Sequence, residues 1–336
     1  MLPIWRHVTL SVVMDVQNLK KYFPVQKSFL ERLFTRTREY VKAVDDIDFS
    51  IRRGKIFTLA GESGCGKTTT GRLLVRLLEP TAGKIFFHGT DITKLKAEEL
   101  RLLRRKMQII FQDPYASLNP RMRIGDAVGH PLEIHNLAKG VEKRKRVLEM
   151  LDKVGLTPPE QFVDLYPHQL SGGQRQRAAM ARSIILRPEF IVADEPVSMI
   201  DVSLRTTLID LMLDLRKELG LTYLFITHDL AVAKYISDRI AIMYLGKIVE
   251  MSDREDLFSN PLHPYTQALL SSIPVPNPER KRKTIELKGE VPSAINVPPG
   301  CRFHPRCPQA FDKCPIEEPA IRYVGKNHTV ACHLYN

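Results

Sequence analysis

Residues 61–68 of this chain read GESGCGKT, a complete G-x-x-x-x-G-K-[ST] phosphate loop. An apolar stretch at residues 56–60 precedes the loop, and a helical pattern at residues 69–78 follows it. This order predicts an α/β fold, because the motif requires a strand, a loop and a helix. Glycine N–H groups would face the phosphates, Lys67 would reach the β- and γ-phosphates, and the Thr68 hydroxyl would hold Mg²⁺. The predicted phosphate-binding residues are Gly61, Glu62, Ser63, Gly64, Cys65, Gly66, Lys67, Thr68 and Thr69.

A second short run, LSGGQ at residues 170–174, adds a second half-site. With both runs, the chain resembles the nucleotide-binding subunit of an ATP-binding-cassette (ABC) transporter, and the resemblance extends along almost its whole length. It implies that the signature residues contact ATP held by a partner cassette, so that two chains close each site. These residues are Ser171, Gly172, Gly173 and Gln174.

The resemblance assigns further residues to chemistry. Asp194 and Glu195 end the apolar run at residues 191–195, which resembles the family's Walker B strand. Asp194 would hold Mg²⁺ through water, and Glu195 would polarise the attacking water as a catalytic residue. Gln112 matches the glutamine that touches Mg²⁺ beneath the membrane subunit, and His228 matches the catalytic switch histidine that contacts the γ-phosphate. Outside this series, a histidine at a strand end is usually structural or simply exposed.

Two other loops follow the family pattern less closely. Residues 19–23 resemble the aromatic A-loop, which places Tyr22 on the adenine with Phe23 as the alternative. The D-loop reads Ser-Met-Ile-Asp at residues 198–201, where the family commonly has Ser-Ala-Leu-Asp. Because its polar ends, including Asp201, are present, we expect a working loop with altered packing across the dimer.

The composition fits a globular ATPase subunit. The 336 residues are 43% hydrophobic and 26% charged, enough for a sizeable core and more than one domain. No apolar stretch is long enough to span a bilayer, and residues 1–13 lack the features of a signal peptide. These residues precede Met14 and are expected to be an upstream extension. The net charge of +12 fits solvated helix faces or an anionic membrane surface, and no nucleic-acid motif accompanies it.

The strand and helix pattern predicts an α/β chain, and the resemblance implies a P-loop NTPase core of the ABC type at residues 1–251. An antiparallel β part with a basic insertion at residues 27–42 opens the core, and a helical signature subdomain occupies residues 113–175. Proline becomes dense after Pro261. The residues after Pro261 are therefore expected to form a loop-rich tail rather than more of the sheet, within a C-terminal extension at residues 252–336. The phosphate loop is expected to belong to a core that is separate from this tail.

The extension narrows the resemblance. Residues 260–266 (NPLHPYT) and 300–308 (GCRFHPRCP) resemble the C-terminal extension of oligopeptide and dipeptide importer ATPases. Residues 112–121 are more similar to the F-type than to the D-type subunit of these systems. The resemblance implies a D-type ATPase partner, two transmembrane permeases, an extracytoplasmic solute-binding protein and a peripheral position on the cytoplasmic face of the cell membrane.

Four of the five cysteines fall within the last 36 residues, spaced C-x₅-C-x₆-C-x₁₇-C at Cys301, Cys307, Cys314 and Cys332. Four thiols on a segment without an obvious core of its own indicate a metal centre. The spacings are wider than those of structural zinc, and two Cys-Pro pairs are typical of ferredoxins. The related importer ATPases are thought to hold a [4Fe–4S] cluster here. We rank iron–sulfur first, zinc second and disulfides third, because a cytosolic protein keeps its thiols reduced.

Two functions from different classes remain open at this stage. The first is an energy-coupling subunit of an importer, which would use ATP and Mg²⁺ to drive uptake of oligopeptides or dipeptides, with nickel or oligosaccharide as other cargoes of relatives. The second is an ABC ATPase acting on nucleic acid or ribosomes. Such relatives usually carry two cassettes in one chain or long heptad segments, and this chain has neither. The sequence therefore favours the importer and no nucleic-acid partner.

Overall fold

The structure, a computed structural model, describes residues 12–25, 39–273, 285–325 and 327–335. Most of the expected upstream extension and of the basic insertion at residues 27–42 lies outside these residues. The described strands are β1 (Val12–Pro24), β2 (Tyr40–Arg52), β3 (Ile56–Ala60), β4 (Ala82–Phe87), β5 (Thr90–Asp91), β6 (Met107–Ile110), β7 (Phe190–Asp194), β8 (Thr222–Thr227), β9 (Arg239–Tyr244), β10 (Lys247–Asp253), β11 (Arg322–Tyr323) and β12 (Thr329–Val330).

Several of the described helices lie in the predicted helical subdomain. The described helices are α1 (Lys67–Leu74), α2 (Ala97–Leu103), α3 (Pro114–Ser117), α4 (Ile124–Ile134), α5 (Gly140–Lys153), α6 (Pro159–Val163), α7 (Gly172–Ile184), α8 (Val202–Leu219), α9 (Leu230–Ile236), α10 (Arg254–Ser259) and α11 (Pro264–Ser271). Short 3₁₀ turns occupy Pro167–Gln169, His304–Arg306 and His333–Tyr335.

The chain forms two compact units. The first comprises residues 1–51, 56–94 and 227–336, and the second comprises residues 52–55 and 95–226. The first unit therefore contains both the phosphate loop and the C-terminal extension. The predicted boundary at residue 251 remains a prediction about family organisation, whereas the separate core expected for the phosphate loop is wrong, because contacts described below join that loop to the extension.

The first unit contains two groups of strands. One is a four-stranded sheet in the order β2-β1-β4-β5, in which β1 and β4 are antiparallel, as are β4 and β5. On β1, Val13, Met14 and Val16 are buried whereas Gln17 and Asn18 are exposed, so the strand is only partly buried, as in a sheet with one solvated face. The other group runs in the order β11-β12-β10-β9-β3, and β3 is parallel to β9. Every residue of β3 is buried, as expected for a core strand.

The extension adds strands to the first unit, so the expectation that it would not continue the sheet is wrong. Glu250 of β10 pairs with Val330 of β12, and Arg322 of β11 pairs with the same Val330, both in antiparallel register. The physical reason lies in the proline positions. The last proline of the chain is Pro319, and both strands follow it, where every residue supplies an N–H donor.

The second unit contains the strands β6, β7 and β8 and most of the helices. The strands are parallel in the order β8-β7-β6, and all residues of β7 and β8 are buried. Burial of each large aliphatic side chain here contributes about 1.5–3 kcal/mol to stability. The helices at residues 114–163 lie where the helical subdomain is predicted, and the α/β class is confirmed.

Candidate nucleotide-binding site

The phosphate loop connects β3 to α1, and two of its glycines have no sterically acceptable replacement. Gly61 has φ +151° and Gly66 has φ +111°. A Cβ atom on Gly61 would lie 2.2 Å from the Met243 carbonyl oxygen, and one on Gly66 would lie 2.1 Å from the Ala43 carbonyl oxygen. Because β9 and β2 approach the loop this closely, only glycine fits at both positions.

Lys67, the first residue of α1, folds back over the loop. Its Nζ donates hydrogen bonds to the carbonyl oxygens of Gly61 at 2.7 Å and Glu62 at 2.9 Å, and the residue is 5% exposed. Burial raises the pKa of the neighbouring Cys65 thiol, although the Lys67 ammonium opposes this shift. The loop therefore carries a desolvated positive charge beside the N-terminus of a helix, an arrangement that favours anions.

Tyr22, the predicted adenine-stacking residue, is linked to the phosphate loop through backbone groups. Its hydroxyl donates to the Asp45 carboxylate. The Asp45 N–H donates to the Gly246 carbonyl at 2.9 Å, and the Gly246 N–H donates to the Cys65 carbonyl at 2.9 Å. Burial and the hydrogen bond to Asp45 raise the pKa of Tyr22, so its phenol is neutral. Burial would raise the pKa of Asp45, but bonds from Tyr22 and Arg302 outweigh it and the pKa is lowered.

His228 follows β8 on an exposed turn of the first unit. The adjoining Asp229 fixes this turn, because its carboxylate accepts a hydrogen bond from the Ala231 N–H at 2.8 Å and caps α9. The Asp229 N–H donates to the Thr227 hydroxyl at 3.0 Å. The histidine thus stands on an ordered turn with its side chain exposed to solvent.

In the second unit, the structure brings Gln112 and Glu195 together. The Gln112 Nε2 donates to the Glu195 carboxylate at 3.2 Å. Asp194 ends β7 and is 2% exposed. Glu195 adopts φ +44°, and its N–H donates to the Ile226 carbonyl at 3.0 Å. A left-handed conformation at a non-glycine residue costs about 1–3 kcal/mol and occurs preferentially at functional sites.

The signature lies at the N-terminus of α7. The Ser171 hydroxyl accepts from the Gln174 N–H at 3.3 Å, while the Gln174 side chain accepts from the Ser171 N–H at 2.9 Å, a reciprocal capping box. Buried Arg175 donates to the Pro167 and Leu170 carbonyls at 2.9 and 2.7 Å. Gly172 and Gly173 complete the turn, which these bonds hold in one conformation.

The D-loop is anchored at one end and exposed in the middle. The Ser198 hydroxyl donates to the Glu195 carbonyl at 2.9 Å, which ties the loop to the end of β7. Met199, at the position that departs from the family pattern, is 62% exposed. Asp201 is exposed and precedes α8. The altered packing of this loop against a partner remains a prediction.

The four cysteines of the extension interact with one another. The Cys301 N–H donates to the Cys314 carbonyl at 2.8 Å. Burial raises the pKa of Cys301 to about 11. Electrostatic interactions with Cys332, Cys314 and Cys307 also raise the pKa of this thiol. Backbone N–H groups two residues later lower the pKa of the Cys301, Cys307 and Cys332 thiols and so oppose the effect of burial. Within the described parts of the chain, however, no three His, Cys, Asp or Glu side chains have the arrangement of a metal site.

Sequence reasoning missed four residues that touch the predicted nucleotide site within the first unit. They are Asp45, Tyr265, Arg302 and Arg306. The last three stand in the two runs of the extension, residues 260–266 and 300–308, which the sequence analysis used only as markers of the family.

Within the described ranges, no helix combines the length and the apolar character that crossing a membrane requires. Two family models match the chain. The model described as "ABC transporter" matches residues 44–198, and the model described as "Oligopeptide/dipeptide transporter, C-terminal region" matches residues 249–314. Together they cover the phosphate loop, the signature and three of the four cysteines of the extension.

Relatives match over nearly the full length. The chain is 48% identical over 329 residues to the oligopeptide transport ATP-binding protein AppF of Bacillus subtilis (strain 168), covering 97% of this chain and 98% of that protein. It is 46% identical over 317 residues to the dipeptide transport ATP-binding protein DppF of Escherichia coli (strain K12), covering 94% and 92%.

A solved structure agrees with the fold. The ATP-binding cassette MJ0796, in a dimeric post-hydrolysis state bound to ADP and Pi, matches with a TM-score of 0.62 and 28% identity. The match covers 72% of this chain and 98% of that one. The P-loop fold, the signature and the C-terminal region all agree with these matches, and the chain belongs to the ABC transporter family, among the ATP-binding proteins with an oligopeptide/dipeptide transporter C-terminal region.

Proposed function

We propose that this chain is the ATP-hydrolysing subunit that couples ATP to the import of oligopeptides or dipeptides. The observation that carries the proposal is the presence in one chain of an ordered phosphate loop and the oligopeptide/dipeptide C-terminal region. The full-length similarity to oligopeptide and dipeptide transport ATP-binding proteins supports peptide as the cargo class.

In the proposed reaction, the phosphate loop binds the β- and γ-phosphates through its N–H groups and Lys67, and Tyr22 stacks on the adenine. Glu195 holds the attacking water and accepts its proton, with its carboxylate oriented by Gln112. His228 contacts the γ-phosphate. Thr68, Gln112 and Asp194 offer the oxygen ligands that Mg²⁺ prefers. Bound Mg²⁺ would neutralise phosphate charge.

The proposed assembly contains a second ATPase subunit of the D-type, two transmembrane permeases and an extracytoplasmic solute-binding protein. The chain would then act as a peripheral subunit at the cytoplasmic face of the membrane. The exposed N-terminus of α7, where the signature forms its capping box, favours anions and supports the proposed contact with a partner's ATP. Ser171 and its glycines would contact ATP on the partner ATPase.

The first test is assembly-dependent hydrolysis. We expect the isolated chain to be a poor ATPase and mainly monomeric, because its own nucleotide lacks a facing signature. Activity should rise when the partner ATPase and the permeases are added, and further with peptide-loaded binding protein. The measurement is ATP turnover per chain as a function of protein concentration, which distinguishes a composite site from an active monomer. Full activity from the monomer at every concentration would contradict the composite site, and stimulation by RNA or ribosomes alone would favour the other class of ABC ATPase.

We also propose that the four cysteines bind a [4Fe–4S] cluster, with zinc as the second choice. The four thiols lie close enough to interact electrostatically. Backbone N–H groups also form hydrogen bonds to the sulfurs of Cys301, Cys307 and Cys332. Such hydrogen bonds are typical of thiolate-bound clusters. A bound metal would also offset the raised pKa of the Cys301, Cys307 and Cys332 thiols, since metal ligation favours the thiolate.

Anaerobically purified protein should accordingly be brown, with about four iron atoms and about four sulfides per chain. Replacing Cys307 or Cys314 by serine should bleach the colour and lower both contents, whereas Cys65→Ser, outside the group, should retain them. The contents are measured by metal analysis and sulfide assay. One zinc per colourless chain would reject iron and sulfur but keep a metal site, and metal-free protein under these conditions would reject both.

A further inference from the structure

Glu62 places a carboxylate inside the phosphate loop, and the C-terminal extension pairs with it. Arg306 donates two hydrogen bonds to the two Glu62 carboxylate oxygens, at 2.7 and 3.1 Å. The Arg306 side chain is 8% exposed and that of Glu62 is 28% exposed. Tyr265, also from the extension, accepts a hydrogen bond from the Glu62 N–H at 2.9 Å. Both the side chain and the backbone of this loop residue are therefore held by the extension.

The support for this pair is rigid. Arg306 ends the 3₁₀ turn His304–Arg306, in which its N–H donates to the Phe303 carbonyl at 3.0 Å. The rings of Phe303, Tyr244 and Tyr265 are mutually packed, with centroid separations of 4.8 to 5.3 Å, and each of the three residues is at most 1% exposed. A bidentate arginine on such a platform has little freedom to leave its partner.

The pairing matters because phosphates and a free carboxylate repel each other. A negative charge within the phosphate loop would lower the affinity for a nucleotide triphosphate, and the repulsion would be strong where water is excluded. Arg306 neutralises Glu62 and fixes the direction of its carboxylate. The guanidinium of Arg306 is charged at every physiological pH, and the hydrogen bond to Glu62 raises its pKa further.

We propose that Arg306 is a positioning residue for the phosphate loop, which acts through Glu62 and sets the affinity for the phosphate end of the nucleotide. This inference rests on the proposed function, since it takes residues 61–68 as the ATP phosphate site. The extension is then part of the nucleotide site in addition to being a mark of the family.

Residues 302–306 also contact the part of the predicted site that would hold the adenine. Arg302 donates to the Asp45 carboxylate and to the Leu245 carbonyl, and its side chain is 8% exposed. Asp45 in turn accepts from the Tyr22 hydroxyl. Residues 302–306 thus hold the predicted base-stacking residue through one arginine and the phosphate loop through another. The two arginines should differ in which part of the nucleotide they affect.

The test compares the affinities for ATP and AMP, measured by competition against a fluorescent ATP analogue on the full chain. Arg306→Gln should weaken ATP about 10-fold, as expected for an unpaired carboxylate, and AMP much less, because AMP lacks the β- and γ-phosphates. Arg302→Gln should weaken ATP and AMP by the same factor. The matched control is Lys313→Gln, which removes an exposed ion pair with Glu317 in the same segment and should change neither affinity.

A second variant separates charge from folding. In Glu62→Gln/Arg306→Gln the unpaired carboxylate is absent, so ATP affinity should return to within about 3-fold of the original. Unchanged ATP affinity in Arg306→Gln, equal losses for ATP and AMP, or no recovery in the double variant would each overturn the inference. Failure of the unaltered chain to bind ATP would instead overturn the proposed function, and ATP binding that depends on Lys67 but not on Arg306 would overturn this inference alone.

Discussion

Glu195→Gln is expected to slow ATP hydrolysis by roughly 10²–10⁴-fold while Mg-ATP still binds, because the amide keeps the shape of the side chain but accepts no proton. The structure makes glutamine a conservative probe. Residue 195 holds a left-handed backbone whose N–H is bonded to Ile226, and that bond does not depend on the side chain. The Gln112 contact also survives, since the amide oxygen of the substituted side chain can accept the same hydrogen bond.

Phosphate release from the assembled transporter measures this effect, with nucleotide binding recorded on the same preparation. Glu218→Gln is the matched control. Glu218 is an exposed glutamate of the second unit, paired with Lys153, and its loss should leave turnover unchanged. Near-normal turnover in Glu195→Gln would remove Glu195 from the chemistry, and loss of Mg-ATP binding would mean that its role lies in binding.

Lys67→Ala is expected to weaken ATP binding about 10- to 100-fold, because hydrogen bonds to charged groups contribute about 1.5–3 kcal/mol each. In the structure, the ammonium is already desolvated and is bonded to weakly charged carbonyl oxygens of its own loop. These partners are easily exchanged for phosphate oxygens, which carry full negative charge.

Equilibrium binding of ATP to the isolated chain measures the Lys67 effect. Lys84→Ala, on an exposed position of β4, provides the control for loss of one positive charge. An affinity unchanged by Lys67→Ala would show that residues 61–68 do not bind the phosphates. A fall of similar size in the Lys84 variant would show that only net charge matters.

Several strands and the start of one helix were predictable from local sequence. Continuous apolar runs predict β3, β7 and β8, and all three are fully buried strands. The serine before two glycines and the glutamine three residues later form a capping box, so the start of α7 is encoded within four residues. In each case the residues that determine the element are close in sequence, so a periodic pattern or a short motif predicts it.

The contacts that join the extension to the nucleotide site could not be predicted in this way. Arg306 and Glu62 are 244 positions apart, and Arg302 and Asp45 are 257 apart. Neither residue type nor spacing ties such pairs together. The same holds for β12, a two-residue strand whose register is set by the free edge of β10 and not by a periodic pattern of its own. The dense prolines of the extension predicted loops, and this prediction did not include β11 and β12, which follow Pro319.

Because Glu62 and Arg306 are far apart in sequence, they are synthesised at different times. A ribosome that adds about 5–20 residues per second needs roughly 10–50 s to move from one to the other. Residues 95–226 form one continuous stretch of the second unit and emerge during this interval, whereas the first unit is interrupted and waits for residues 227–336. A nascent chain in which Arg306 has not yet emerged therefore exposes the Glu62 carboxylate without its arginine partner, and the pair forms only after residues 302–306 are free to fold.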